Sequence, residues 1–150
     1  MDERRFIYLD NNATTPVDPR VVAEMSAALA NAYGNPSSGH RLGRDAKALV
    51  ETARERVAAC LGAAPDELVL TSGGSESDNW AVAGIVEARG GGHVVTTAVE
   101  HPAVLEPLKD LERRERIRLT VVGVDRFGRV DPDEVQHAMS SDTVLVSVML

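Results

Sequence analysis

Apolar residues recur at three- and four-residue spacing through the first part of the chain. Asp18 followed by Pro19 is typical of a helix start, and the apolar positions after them predict a helix over about residues 19–32. A cluster of turn-forming residues at 34–39 ends this helix. A longer apolar stripe then predicts a second amphipathic helix over about residues 42–62, which ends at a glycine.

The pattern changes from residue 68 onward, where short apolar runs alternate with helical segments. Strands are predicted at residues 68–71, 93–97, 117–122 and 144–150, and helices at about 75–88, 103–114 and 131–139. This alternation indicates an α/β fold with a mostly parallel sheet. The last strand is almost continuously apolar, as expected of a strand that helices cover on both faces. Ligands of such folds bind in the loops that follow the carboxyl ends of the strands.

Composition and charge narrow the classes of function. The 150 residues are 43% apolar, which is enough for one packed core, and their formal net charge of -7 argues against a nucleic-acid partner. No apolar stretch approaches the roughly 18 residues of a membrane span, and the start lacks the apolar run of a signal peptide. We therefore expect no membrane partner and a cytoplasmic location. The one cysteine, Cys60, excludes an internal disulfide, and we expect it to be a small buried apolar residue.

The segment Thr71–Asn79 (TSGGSESDN) follows a predicted strand and opens a predicted helix. Its two glycines allow the backbone to approach a ligand, the first helical turn presents unpaired N–H groups, and the Ser75 hydroxyl can donate a further hydrogen bond. Together these features indicate an anion site suited to a phosphate group. The alternative is structural: Ser75 and Asp78 form a capping box, and the glycines only turn the chain. The spacing matches neither a Walker A loop nor a Gly-x-Gly-x-x-Gly fingerprint.

A second candidate, His101, lies in the loop after the predicted strand at 93–97. We expect it at the same edge of the sheet as the glycine-rich segment. An imidazole can stack on a flat heteroaromatic ring or move protons near neutral pH. The alternative is that His101 is a structural or merely solvated loop residue. The other three histidines form no metal-ligand pattern with one another or with Cys60, so no metal site is expected.

Four segments of the chain resemble the cysteine desulfurases of the nitrogen-fixation and iron-sulfur-assembly type, in class V of the aminotransferases. They are Tyr8–Thr15 (YLDNNATT), Tyr33–Ser38 (YGNPSS), Thr71–Asn79 and Glu100–Pro102, in the order and spacing of that family. The resemblance runs across essentially all 150 residues and is to the N-terminal portion of the family. It implies a pyridoxal 5'-phosphate (PLP) enzyme of fold type I, the aspartate-aminotransferase type, with a mostly parallel sheet.

The resemblance also implies roles for particular residues. Gly74 and Ser75 resemble the pair that holds the PLP phosphate. His101 resembles the histidine that stacks on the PLP ring and assists proton transfer, which would make it both a cofactor-binding and a catalytic residue. The family more often has threonine where Ser75 stands, and because serine keeps the hydroxyl we expect cofactor binding to survive.

Further residues of the matching segments are less specific. Asn11, Asn12 and Asn35 resemble residues that border the mouth of the active site in the family. Turn formation and Asx hydrogen bonding are an equal alternative for each of them. The family more often has leucine where Trp80 stands, so we expect Trp80 to pack in the core.

The family reaction takes sulfur from L-cysteine as a protein-bound persulfide and leaves L-alanine. The sulfur then passes to acceptor or scaffold proteins for iron-sulfur clusters or other sulfur-containing cofactors, and family members are homodimers. The Schiff-base lysine, the aspartate at the pyridine nitrogen and the nucleophilic cysteine of the family all lie beyond the position matching Leu150. Lys47 and Lys109 are expected on helix surfaces. The resemblance therefore implies that this chain holds the cofactor but cannot use it alone.

The resemblance divides the chain into an N-terminal arm at residues 1–17 and the first part of the PLP-binding large domain at residues 18–150. Three hypotheses stay open: the front part of an active desulfurase, a noncatalytic remnant or binding module, and a related PLP enzyme such as a selenocysteine lyase or an aminotransferase. In the family the 68–71 strand pairs with strands from later in the chain, and the apolar run 144–150 would be an exposed edge here. We therefore predict that the isolated chain is unstable or aggregates.

Overall fold

A computed structural model describes residues 7–149 of the chain. The chain folds as two compact units, one that ends at Val69 and one that begins at Leu70. The first six residues of the expected N-terminal arm, and the last residue of the expected final strand, lie outside the described residues. The domain boundary expected after residue 17 stays a prediction, because compactness alone does not define it.

The first unit contains two α-helices whose ends carry the signals seen in the sequence. Helix α1 spans Pro19–Asn31, and the carboxylate of the aspartate before it caps its first turn. Helix α2 spans Arg41–Leu61, is capped by His40, and ends at Gly62 in the left-handed conformation with φ of 67°. A short 3-10 helix follows at Pro65–Glu67. Both predicted helices are confirmed.

The turn between α1 and α2 is tightly packed around two glycines. A Cβ atom on Gly34 would lie 2.2 Å from the Leu42 carbonyl oxygen, and one on Gly43 would lie 2.3 Å from the Ser38 carbonyl oxygen. Gly43 is buried in the first turn of α2. Glycine is required at both positions because backbone atoms already occupy the place of a side chain.

The second unit is built around a three-stranded sheet. In chain order it contains helix α3, strand β1, helix α4, strand β2, helix α5 and strand β3, at Gly74–Arg89, Gly92–Thr97, Pro102–Arg113, Ile117–Val122, Pro132–Ala138 and Thr143–Val146. The strands are parallel and lie in the order β2-β1-β3, so β1 is central. The predicted α/β class and the parallel sheet are confirmed.

The core of the second unit lies between the sheet and helices α3 and α4. Its buried members are Val82 and Val86 of α3, Val94 of β1, Leu108 of α4 and Ile117 of β2. Burial of one side chain of this size stabilises a fold by about 1.5–3 kcal/mol. The packing holds α3 and α4 next to each other on the sheet, and therefore also holds the turns from which they begin.

The prediction of a strand at residues 68–71 is wrong. These residues are coil, Val69 and Leu70 are 58% and 57% exposed, and the Leu68 carbonyl oxygen accepts a hydrogen bond from the Arg54 guanidinium. A strand needs a neighbouring strand for its backbone hydrogen bonds, and none of the three strands in the described residues pairs with this segment. The apolar run is therefore an exposed connection.

Two side chains expected to be buried are exposed. Trp80 on α3 is 56% exposed, and Cys60 in the last turn of α2 is also exposed. Apolar character predicts burial only where other residues pack against the side chain, and residues 7–149 do not cover these two. The last strand is also shorter than predicted: β3 ends at Val146, which is 39% exposed because β3 is an edge of the sheet and not a strand covered on both faces.

Candidate functional site

The glycine-rich segment forms the turn that leads into α3. Gly73 is the N-cap residue in an extended conformation, and Gly74 is the first helical residue. Apart from the adjacent residues and the backbone of α3 itself, a Cβ atom at either glycine would meet nothing within 4 Å, so the space beside this turn is open. A ligand can approach the backbone closely here.

Side-chain hydrogen bonds hold this turn in place. The Glu76 carboxylate accepts hydrogen bonds from the hydroxyl and the N–H of Ser72, each at 2.6 Å, and these bonds lower the pKa of Glu76 below its ordinary value. The hydroxyl oxygens of Thr71 and Ser77 lie 2.7 Å apart, and each lies 3.2 Å from the Gly73 carbonyl oxygen. The turn is therefore fixed by its own residues without a ligand.

The first turn of α3 presents backbone N–H groups that donate to no described residue. The first helical hydrogen bond runs from the Ser77 N–H to the Gly73 carbonyl oxygen at 3.1 Å, so the N–H groups of residues 74–76 have no helical partner. No side chain caps α3, whereas the other four α-helices of residues 7–149 are each capped by one. The capping box of Ser75 and Asp78 does not form, and the Ser75 hydroxyl bonds to no described residue.

His101 is the N-cap of α4. Its Nδ1 accepts a hydrogen bond from the Ala103 N–H at 3.0 Å, and Pro102 takes the first helical position. A ring nitrogen that accepts a hydrogen bond carries no proton, so the neutral ring carries its proton on Nε2. The residue is exposed. His101 therefore has the structural role that the alternative proposed, and that role leaves Nε2 and the ring faces available to a ligand.

Asn79 joins the start of α3 to the start of α4. Its Nδ2 donates a hydrogen bond to the Ser75 carbonyl oxygen at 2.7 Å and lies 3.5 Å from the Ala103 carbonyl oxygen. The structure thus brings together the two segments that the sequence singled out separately. Asn79 was part of the matching segment, but no local pattern indicates that it connects the two helix starts.

Glu100, directly before His101, joins the same region to the sheet. Its Oε1 accepts a hydrogen bond from the Ser147 hydroxyl at 3.0 Å. The Ser147 N–H in turn donates to the Val95 carbonyl oxygen of β1 at 2.9 Å. Sequence reasoning missed this contact as well, since Ser147 lies 47 positions after Glu100 and carries no motif.

The carboxyl end of β1 also leaves polar groups without partners. The hydroxyl oxygens of Thr96 and Thr97 are buried and have no hydrogen-bond partner among the residues that the structure describes. An unsatisfied buried group of this kind costs about 1–3 kcal/mol. Both threonines lie just before the loop that carries His101, at the edge of the sheet where a ligand or water could supply a partner.

The three asparagines expected at the site mouth lie in the first unit. Asn11 Nδ2 donates to the Tyr8 carbonyl oxygen at 3.2 Å, and Asn35 Oδ1 accepts from the Ser37 N–H at 2.9 Å. Both are turn hydrogen bonds of the kind that the structural alternative predicted. Asn12 is exposed. A role at the mouth of the site stays a prediction for all three.

A different polar cluster lies at the amino end of the sheet. His93 of β1 is fully buried, with Nδ1 2.8 Å from the Thr143 hydroxyl of β3 and Nε2 2.8 Å from the Thr120 hydroxyl of β2. Burial, and secondly the charge of Arg118, lower the pKa of His93 below its ordinary value. The cluster ties three strands together at the opposite end of β1 from His101.

The chain's two lysines lie at exposed helix positions, as predicted. Lys47 is on α2, and the Lys109 ammonium on α4 pairs with the Glu106 carboxylate at 2.9 Å. Residues 7–149 contain no group of histidine, cysteine, aspartate and glutamate side chains that could hold a metal ion. None of the helices within these residues combines the length and the apolar content that a membrane crossing requires.

The second unit thus has a parallel sheet with α3 and α4 packed on it, and Asn79 joins the glycine–serine start of α3 to the helix that His101 caps. The chain belongs to the aminotransferase class-V family, whose pattern matches residues 7–150. Its fold is the first part of the PLP fold type I of the NifS-like proteins. The family that the four sequence segments indicated is confirmed.

Particular relatives narrow this class further. The cysteine desulfurase IscS of Dictyoglomus turgidum is 45% identical over 148 residues, which are 97% of this chain and 37% of that protein. A solved NifS-like protein is 41% identical with a TM-score of 0.86, over 92% of this chain and 38% of that one. SspA, solved in complex with cysteine, is 33% identical with a TM-score of 0.83, over 91% of this chain and 40% of that one. The chain thus spans little more than a third of the length of these relatives.

Proposed function

We propose that this chain forms the cofactor-holding part of a PLP-dependent cysteine desulfurase. In this proposal Gly74 and Ser75 hold the PLP phosphate, and His101 lies against the PLP ring. The observation that carries the proposal is the uncapped start of α3, where three backbone N–H groups and a serine hydroxyl border open space. The cysteine desulfurases among the relatives support the choice of PLP over other phosphorylated ligands.

The donors at the start of α3 fit a phosphate group by both chemistry and charge. A phosphate offers only acceptor oxygens, and this helix start offers only N–H and O–H donors. The helix dipole favours an anion at this end by about 0.3–1 kcal/mol. The one carboxylate in the first turn, Glu76, is bound to Ser72 and leaves the helix end to an incoming anion.

His101 contributes a ring face and one exchangeable proton. Its Nδ1 is held by the Ala103 N–H, so the proton that it can give or take is the one at Nε2. When PLP is bound, the cofactor supplies an electron sink for the α-carbon of an amino acid. In the proposal the His101 imidazole stacks on the PLP ring and transfers protons beside it, while the start of α3 binds the PLP phosphate.

The proposed reaction moves sulfur from L-cysteine to a protein thiol. The sulfur of the acceptor thiol attacks the sulfur of cysteine, so an S–S bond forms as the C–S bond breaks. The β-carbon keeps the electron pair of that bond and gains the proton that the acceptor thiol loses, which gives L-alanine and a persulfide. The cysteine complex of SspA supports this substrate. Sulfur-acceptor or scaffold proteins for iron-sulfur clusters, a homodimer and a cytoplasmic location belong to the same proposal, by likeness to the desulfurases. We assign no part in the reaction to Lys47, Lys109 or Cys60.

The phosphate contact is tested by cofactor binding to Ser75 variants of the natural gene product that contains this chain. The Ser75→Ala variant should bind PLP about threefold to tenfold more weakly, the effect of one lost hydrogen bond, while Ser75→Thr keeps the affinity. Pyridoxal has no phosphate and should bind all of these variants equally.

A matched control is Ser26→Ala, which removes an exposed hydroxyl from the middle of α1. It should leave both affinities unchanged. Equal affinity of wild type and Ser75→Ala for PLP, or an equal loss for pyridoxal, would contradict the phosphate role.

The desulfurase reaction itself is tested by the product of the wild-type protein: one L-alanine should form for each L-cysteine consumed.

A further inference from the structure

The turn that carries His101 is short and lies at the surface. Four residues, Ala98–His101, connect the end of β1 to the first residue of α4, and His101 is exposed. A surface connection of this kind moves unless other parts of the fold bind it. Here two polar side chains, Glu100 within the turn and Asn79 on α3, bind it from two directions.

On the sheet side the turn is bound to both neighbours of β1. The Ala98 N–H donates to the Val122 carbonyl oxygen of β2 at 2.9 Å, and the half-buried Glu100 accepts from the half-buried Ser147 at 3.0 Å. A hydrogen bond to a carboxylate is about twice as strong as one between neutral groups. The residue directly before His101 is therefore fixed to the end of β3.

On the helix side the turn is bound to α3 through Asn79. Its amide nitrogen lies between two carbonyl oxygens, at 2.7 Å from that of Ser75 and 3.5 Å from that of Ala103. The amide orientation is settled by these neighbours, because an oxygen in this place would face two acceptors. Ala103 is also the residue whose N–H binds His101 Nδ1.

We propose that Glu100 and Asn79 are positioning residues that hold the His101 ring at a fixed place relative to Ser75. Asn79 is bonded to the backbone of the phosphate-binding turn at one side and to the first turn of α4 at the other. Glu100 fixes the residue before His101 to the sheet. Neither side chain contacts the cofactor in this assignment, and both act through the turn. The inference rests on the proposed function, because the spacing between His101 and Ser75 matters only if both residues bind the same PLP molecule.

The sheet side is tested with Glu100→Ala, Glu100→Gln and Ser147→Ala in the natural gene product. Nitrogen NMR of the His101 ring in the cofactor-free protein reports which ring nitrogen carries the proton. Binding titrations with PLP and with pyridoxal report the placement of the ring. Glu100→Ala and Ser147→Ala should change the ring from the Nε2–H form to a mixture of forms and weaken both ligands by roughly threefold to tenfold. Glu100→Gln keeps an acceptor oxygen and should behave like wild type.

The helix side is tested with Asn79→Asp, which keeps the shape of the side chain and removes its donor. It should give the same mixture of ring forms and weaken both PLP and pyridoxal. This pattern differs from that of Ser75→Ala, which affects PLP alone. Ser147→Ala removes only one hydroxyl and gives a result even if Glu100→Ala does not fold.

Two outcomes separate this inference from the function on which it rests. If wild type binds PLP and the variants Glu100→Ala, Ser147→Ala and Asn79→Asp keep its ring form or both of its affinities, the positioning roles are wrong and the proposed function stands. If wild type binds neither PLP nor pyridoxal, the proposed function itself fails, and the positioning roles fail with it.

Discussion

Among single residues, His93 couples the stability of the sheet to pH. Its ring is buried, bound to the Thr120 and Thr143 hydroxyls, and flanked by Arg118 and Asp142, with its pKa held below 6.5. In the unfolded chain the ring takes up a proton near pH 6.5, whereas the folded ring does so only at lower pH. The contribution of His93 to stability is therefore complete above pH 6.5 and is lost as the pH falls from there through the folded pKa.

The measurement is the urea midpoint of the natural gene product and of its His93→Asn variant over a series of pH values. Below pH 6.5 the wild type should lose stability more steeply than the variant, by up to about 1.4 kcal/mol per pH unit. The variant removes only the imidazole and keeps every carboxylate, so the difference between the two curves reports the ring. Parallel curves would show that the buried imidazole does not titrate between the folded and unfolded states.

Single residues also show how much of the candidate site could be predicted from the sequence. Ser75 and His101 were found because their chemistry is readable from residue type and from position in a loop. Asn79, Glu100 and Ser147 could not be assigned a part, because their contacts span 24 and 47 positions and exist only once helices and strands have packed. Residue type identifies a group that can act on a ligand, but packing decides which residues hold it in place.

At the scale of elements, the α1–α2 turn depends on the small size of its glycines, of which Gly43 offers the clearest test. A Cβ atom on Gly43 would lie 2.3 Å and 2.7 Å from the carbonyl oxygens of Ser38 and Asn35, and those backbone atoms have little room to move. The variant Gly43→Ala should therefore cost about 1–3 kcal/mol of stability and lower the thermal midpoint of the natural gene product. Gly39→Ala is the matched control.

A Cβ atom on Gly39 would meet nothing within 4 Å, so Gly39→Ala should change stability by less than about 0.5 kcal/mol. Both variants restrict the unfolded chain to the same extent, so this effect cancels in the comparison. Equal midpoints for Gly43→Ala and Gly39→Ala would mean that the turn is not packed as described. The result would also bear on Asn35, whose carbonyl oxygen forms part of this contact.

Helices were predicted better than strands, because helix hydrogen bonds join residues that are close in sequence whereas strand hydrogen bonds join distant ones. Each predicted helix formed because its caps and its apolar face are local signals. The strands β1 and β2 formed where predicted, but residues 68–71 have the same composition and remain coil. A strand forms only beside a partner, and a partner is not a property of the segment itself.

At the scale of the whole molecule, the unpaired edge at β3 predicts how the isolated 150-residue chain behaves. Val146, Val148 and Met149 are 39%, 42% and 44% exposed along and after this edge strand. An apolar strand edge with free backbone groups pairs with other chains, so the isolated chain should aggregate on concentration, as light scattering would show. Val146→Lys should reduce the aggregation because a charge on an edge strand opposes pairing, whereas Ser141→Lys adds the same charge outside the strand and should not. A monodisperse isolated chain with a cooperative thermal transition would contradict the prediction.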